Sequence, residues 1–307
     1  KIKGLNDLSF LFIPFFQWIL CPKNTIKSEV VKNTTKNKQM KGMVSMAKVI
    51  AICNQKGGVG KTVTTVNLGI GLAQAEKKVL LVDMDAQASL TLSLGYQPEQ
   101  IEMTIAHIMG QYMSDNDIKS NVSKSILHHN EKVDLLPSNI ELSGLEAALV
   151  NTMSRETVLR NSLKVLRDKY DYIIVDCSPS LGMLTINSLA FADTVLIPVQ
   201  AQYLSIKGLE QLIRTISRVK IHINRKLDIS GILITMANMR TNYSKELVTL
   251  LHQNYDGKLH IFKEYIPMSI KAAEISAEGT SIYIHDKNGK VAKAYEALVQ
   301  EVLTWQK

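Results

Sequence analysis

Cysteine is scarce in this chain, with three in 307 residues, Cys21, Cys53 and Cys177. They show neither paired nor metal-ligand spacing, which argues against a disulfide framework or an iron–sulfur site and suits a reducing cytosol. Long hydrophobic runs are also missing. The mostly apolar stretch 8–20 has 13 residues and is broken by Pro14, whereas a bilayer-spanning helix needs about 20. No small-residue cleavage site follows it, so a signal peptide is not expected. Positive charge is thin over most of the chain. Residues 1–45 hold eight lysines against Asp7 and Glu29, a net of +6 out of +8, which leaves +2 for the other 262 residues. A nucleic-acid site there has to be a local patch, not a basic domain.

The first 45 residues differ from the rest. They contain Phe10, Phe12, Phe15 and Phe16, four of the six phenylalanines, and then a Lys/Asn/Thr/Ser-rich stretch over 23–41 with the composition of a disordered linker. Met46 stands just before the first strand. The expectation is that 1–45 is a non-native or disordered extension, with a membrane-associating extension as the alternative, and that 46–307 is one domain. With 46% hydrophobic residues, a sizeable core is available.

The stretch around which the rest is organised is 49–62, Val-Ile-Ala-Ile-Cys-Asn-Gln-Lys-Gly-Gly-Val-Gly-Lys-Thr. An apolar, β-branched run predicts a buried strand over 49–53. Gly57, Gly58 and Gly60 follow, then Lys61 and Thr62, then a helical apolar pattern at Val66, Leu68, Ile70 and Leu72. Strand, glycine loop, Lys-Thr and helix make a phosphate cradle. Glycines let backbone N–H groups face an anion, and the helix start adds partial positive charge. Lys61 can reach β/γ-phosphates and the Thr62 hydroxyl can bind Mg²⁺. The usual loop has glycine at 55; here 55 is Gln, and an extra lysine, Lys56, opens the loop. A glycine-rich turn with incidental lysines is the alternative, and it leaves the flanking strand and helix unexplained.

Further strands are predicted over 79–82, ending in Asp83-Met84-Asp85, and over 133–136, 172–176, 194–199 and 229–236. Helices are predicted over 62–75, 142–170, 205–222, 244–255 and 290–305. The strand 172–176 ends in Asp176, the shape of a Walker B acid that meets Mg²⁺ directly or through water. His128 and His129 read as surface residues. Strands alternating with helices predict an α/β fold, a mostly parallel twisted sheet with helices on both faces.

From Met46 to Trp305 the chain resembles ParA/Soj-type partition ATPases, of the ParA/MinD class with its deviant Walker A loop. The resemblance rests on Asn54 to Thr62, Leu80 to Gln87, Tyr172 to Gly182 with Thr185-Ile186-Asn187, Leu196 to Gln200, and Thr235-Met236 with Arg240-Thr241-Asn242. It implies an ATP- and Mg²⁺-dependent homodimer. In that reading Lys56, Gly57, Gly58, Val59, Gly60, Lys61 and Thr62 hold the phosphates, and Lys56 reaches the partner's nucleotide. Thr62 and Asp176 hold Mg²⁺, and Asp85 positions the attacking water. Lys56, Lys61 and Asp85 are the catalytic set, while Met236 and Pro267 border the adenine. It further implies non-specific binding of double-stranded DNA through Arg240 and Lys271, with Lys245 and Lys263 extending the patch. A ParB-type partner would stimulate hydrolysis, and the protein would be cytoplasmic and nucleoid-associated without stable membrane insertion. Departures from the family pattern are Val63, Ala86, Ala88, Met268 and Glu274-Ile275-Ser276. Three other readings share this loop. A MinD-like membrane cycler needs a basic amphipathic last helix, whereas this one mixes Lys290, Lys293, Glu296 and Glu301. A ParA-like cargo-positioning or regulatory ATPase shares the same site. A reductase or ligase of this fold lacks cluster cysteines and a substrate domain here.

Overall fold

Lys48–Ile52, an apolar run with one lysine at its start, forms the strand at the heart of the protein, β1. The computed structural model describes residues 46–114, 119–200 and 203–305; the expectation for 1–45 lies outside them. After β1 come α1 (Lys61–Gln74), β2 (Val79–Met84), α2 (Ser89–Ser93), α3 (Ile105–Met113) and α4 (Lys119–Lys124). The middle of the chain supplies β3 (Leu127–His128), β4 (Asp134–Leu136), α5 (Glu141–Leu149), α6 (Val158–Leu163), β5 (Tyr172–Cys177) and α7 (Met183–Phe191). The last part supplies β6 (Thr194–Gln200), α8 (Tyr203–His222), β7 (Asp228–Thr235), α9 (Asn242–Tyr255), α10 (Lys271–Glu278), α11 (Ile282–His285) and α12 (Lys290–Thr304).

Among the described residues the strands form one seven-stranded sheet in the order β3-β4-β2-β5-β1-β6-β7. All pairings are parallel except β3 with β4, which closes one edge. The α/β expectation is met, and the sequence shows why. Along β1, Val49 and Ala51 enter one hydrophobic core while Ile50 and Ile52 enter the other. A strand buried on both faces has no polar alternation to display. One face is covered by α1, α2 and α10–α12, and the other by α3–α9. Pro198 is tolerated within β6 because β1 pairs with β6 only as far as Leu196.

Three expectations about the elements change. The long helix over 142–170 is broken into α5, a 3₁₀ turn at Arg155–Thr157, α6 and a second 3₁₀ turn at Lys164–Leu166. Asn151, Thr152 and Ser154 compete with the helix for backbone hydrogen bonds, and Ser154 takes φ +52°. The buried side chain of Asn187 holds the break, accepting from Leu159 N–H (3.0 Å) and donating to the Arg155 carbonyl (2.8 Å). The edge strand β3 and the pair α10–α11 were not anticipated. His128 lies on β3, with an exposed side chain that meets Asp134.

Candidate nucleotide-binding site

The sheet delivers the site at its C-terminal edge, where β1, β2 and β5 lie side by side. Ile52 pairs with Asp176 and Asp83 with Asp176 in register, so the phosphate loop and both acidic strand ends converge. Cys53 and Cys177 follow at the next position, side by side, buried and reduced. Their neighbourhood arises from register across 124 residues of sequence, which linear spacing does not reveal.

The loop is built for backbone exposure to an anion. Gly58 and Gly60 take φ +70° and +83°, a region open to glycine. Gly60 caps α1, so the first N–H groups of that helix open toward the loop. The loop is anchored from behind. Asn54 donates to the Pro198 carbonyl (2.7 Å) and accepts from Lys56 N–H (3.0 Å). Thr235 donates to the Val59 carbonyl (2.8 Å). Sequence reasoning gave Asn54 and Thr235 no role; both stood inside the motif blocks but without an assigned partner.

Lys61 is 7% exposed, and its ammonium donates to the Lys56 carbonyl at 3.3 Å, back across the loop. Lys56 is half-buried, and its ammonium reaches Gln200 Oε1 at 3.5 Å. Thr62 donates to Asp176 Oδ2 at 2.7 Å, and Thr65, one turn on along the same helix face, donates to Oδ1 at 3.2 Å. Thr65 was not singled out, although its i, i+3 spacing from Thr62 was a usable signal. Asp85 is half-buried and accepts from Gln87 N–H at 3.0 Å. Asp83, fully buried, accepts from both the amide and the hydroxyl of Thr91.

Burial drives the electrostatics. It pushes the Asp176 carboxyl up to about 6, against Thr62, Lys61 and Thr65, which favour the charged form. Burial, with the nearby Asp176 second, pushes Asp83 up to about 7. Two buried carboxylates whose charge is opposed by desolvation, and by a neighbouring acid (Asp176 beside Asp83, Asp85 beside Asp176), suit a bound cation, which would favour both charged forms. Among the described residues no three His, Cys, Asp or Glu side chains gather to cage a metal. One hydroxyl and one carboxylate in contact are instead the donor set expected for Mg²⁺ completed by phosphate and water.

Above the loop lies an open cleft of about 460 Å³. Gly58, Gly60, Lys61 and Thr62 form its floor, with Ser89, Leu92 and Ser93 from α2, Met236 after β7 and Ser276 from α10 around it. Met236, at φ +50°, takes a hydrogen bond on sulfur from Gln200. Pro267 does not line this cleft but sits beside Met236, through a bridge to Ala237. Arg240 and Lys271 lie beyond that bridge, both exposed. Lys271 pairs with Asp286 at 3.0 Å, while Arg240 forms no ion pair with the described residues. The structure thus gathers Lys56, the glycines, Lys61, Thr62, Asp85 and Asp176 at one strand edge and leaves Arg240 and Lys271 exposed, outside the cleft lining.

A parallel α/β sheet with a phosphate loop at the end of its central strand, an extra lysine and two neighbouring acidic strand ends defines a P-loop nucleotide-binding protein. A family model described as an AAA domain matches residues 47–229. The sporulation initiation inhibitor protein Soj of Bacillus subtilis (strain 168) is 40% identical over 257 residues, spanning 84% of this chain and 98% of that protein. The chromosome partitioning protein ParA of Myxococcus xanthus (strain DK1622) is 39% identical over 265 residues, spanning 86% and 90%. Among solved structures, cobyrinic acid a,c-diamide synthase of Mycobacterium smegmatis, with bound ATP analog and magnesium, matches with a TM-score of 0.72 and 33% identity over 84% of this chain and 94% of that one. The chain belongs to the ParA/Soj family of ParA-type ATPases.

Proposed function

We propose that this protein is a DNA-partition ATPase with 46–307 as its working domain. In this reading it dimerises around MgATP, binds double-stranded DNA without sequence preference in that state, and releases it when a ParB-type partner stimulates hydrolysis. The observation that carries the reading is the constellation of buried Lys61 and Asp176 with Thr62 beside Asp85, in a chain that aligns with nearly the whole of Soj.

Phosphoryl transfer asks chiefly for positioning and charge neutralisation. The loop amides and Lys61 hold the phosphate chain. Thr62 and Asp176 are the residues that would hold Mg²⁺, which when bound neutralises phosphate charge. Asp85 orients the attacking water from the adjacent strand end. Lys56, at the mouth of the loop, would contribute a second ammonium to the nucleotide of a partner subunit, so a lone subunit lacks part of its charge neutralisation and turns over slowly. Arg240 and Lys271 offer phosphate contacts, which carry no base information. A bacterial nucleoid is the setting this chemistry suits. Against a membrane-cycling role, the apolar face of α12 (Val291, Ala294, Tyr295, Leu298 and Val302) is buried in the core.

The test is Asp85→Ala, assayed for ATP binding, turnover, dimer content and DNA retention at low salt. We expect intact ATP binding, loss of turnover, accumulated dimer and retained DNA. Unchanged hydrolysis would remove Asp85 from its role. Failure of the unsubstituted protein with MgATP to bind DNA at low salt would defeat the partition reading.

A further inference from the structure

We infer that Asp83 is a positioning residue for hydrolysis, which sets the backbone of Asp85 and the cleft wall α2 from a single carboxylate. The inference rests on the ATPase reading above and deepens it.

Asp83 is the last acid before the Asp85 turn and has 0% exposure. An apolar side chain would fill this position without the desolvation that a buried carboxylate suffers. Its two oxygens serve different elements. Oδ2 accepts from the Thr91 amide (2.9 Å) and the Thr91 hydroxyl (2.8 Å), both on α2. Oδ1 accepts from the amide of Asp85 (3.2 Å). The Thr91 hydroxyl in turn accepts from Ser138 N–H (3.1 Å), just after β4. The residues on either side of Thr91 face the nucleotide cleft: Ser89, Leu92 and Ser93. One carboxylate therefore ties the turn bearing the water-positioning acid to the helix that walls the cleft, and fixes their separation. Neither the loop nor Asp176 bonds to the Asp85 backbone among the described hydrogen bonds. The hold on Asp85 comes from Asp83, from the Gln87 amide on its own side chain, and from the Ala88 amide on its carbonyl (2.9 Å).

Asparagine cannot reproduce this. With its oxygen toward Thr91, its NH₂ faces the Asp85 amide, a donor against a donor; flipped, it breaks the Thr91 pair instead. Steady-state ATP turnover and binding of a fluorescent ATP analogue are to be measured on Asp83→Asn, Thr91→Val and Thr91→Ser, with melting temperatures for each. For Asp83→Asn we expect kcat to fall about 10- to 100-fold, the scale of a small misplacement of a catalytic group, while KM and analogue affinity stay within about threefold. Thr91→Val should lose about tenfold in kcat and Thr91→Ser, which keeps both hydrogen bonds, should stay near the parent. Should Asp83→Asn not fold, the Thr91 pair decides alone. A carboxylate that merely stabilised the core would lower melting temperature and analogue affinity in step with turnover, and that result overturns the inference. So does a kcat for folded Asp83→Asn within twofold of the parent, or equal turnover in Thr91→Val and Thr91→Ser. A parent protein that binds the analogue but never turns over would instead sink the ATPase reading itself.

Discussion

At the cleft, three charged groups are enclosed and held by named partners: Lys61 by the Lys56 carbonyl, Asp176 by two threonine hydroxyls, Asp83 by Thr91. On the surface beyond β7, Arg240 and Lys271 are exposed, and Lys271 already leans on Asp286. The two regions obey different physics. Inside the cleft a displaced charge is left without water or partner, so identity and position are both fixed. On the exposed face, attraction to phosphates is a summed field to which each cation adds a share, so residues can be exchanged one at a time. An uncharged residue such as the exposed Met268 is tolerable on that face; an uncharged residue in place of Lys61 is not.

The contrast is broken most directly at Lys61. Lys61→Ala removes the enclosed ammonium, and a hydrogen bond to a charged group is worth about 1.5–3 kcal/mol. ATP affinity, read by calorimetry or a fluorescent analogue, should fall by up to about 100-fold. Tight MgATP binding by this variant would mean that the enclosed lysine does not hold phosphate, and the cleft would then be no stricter than the exposed face.

The exposed face should respond in smaller and unequal steps. Arg240→Glu reverses a charge that has no ion-pair partner among the described residues and should abolish most ATP-dependent DNA binding at moderate salt while ATP binding persists. Lys271→Ala should weaken binding only about two- to threefold and lower the salt slope by about one or less. Its pair with Asp286 has an exposed lysine and a half-buried carboxylate and is worth about 1 kcal/mol, so phosphate has to compete with it but can do so. Equal losses in the two variants, measured by DNA titration at several salt concentrations, would show that Lys271 exchanges Asp286 for phosphate without penalty.

The same contrast explains what could be read from the sequence. β1, β2 and β5 were legible because strands buried on both faces must be continuously apolar, and because Asp83 and Asp176 stand at their ends. Lys61 and Thr62 were legible because the glycine loop leaves few other ways to place them. The break after α5 was not, because it depends on Asn187, some 30 residues away in sequence and visible only once α7 packs against α6. β3, with two residues, is too short to display any period. α10 has one buried apolar residue, Ile275, and so no amphipathic stripe to detect. With it went Ser276, which faces the cleft. Asp83 was noticed as a strand-end acid, but its function lies in which atoms each oxygen meets, and that is a property of the folded turn.

That turn also supplies the smallest effect. Ala88 takes φ +51°, a region that favours glycine, and its amide closes the turn onto the Asp85 carbonyl at 2.9 Å. A left-handed backbone costs an L-residue roughly 1–2 kcal/mol, which Ala88→Gly would relieve. The substitution also gives up a methyl that is 2% exposed, about 0.8 kcal/mol, and frees the unfolded chain by about 0.4–1 kcal/mol. These contributions nearly cancel. The melting temperature should therefore move by less than about 2 °C in a domain of this size, with ATP affinity unchanged. A rise well beyond that would mean that the turn beneath Asp85 is held under strain the cancellation omits, and the cleft would then be less settled in its resting geometry than its hydrogen bonds imply. A fall of the same size would place the burial of the Ala88 methyl, next to the Thr91 helix, among the contacts that hold α2 in place.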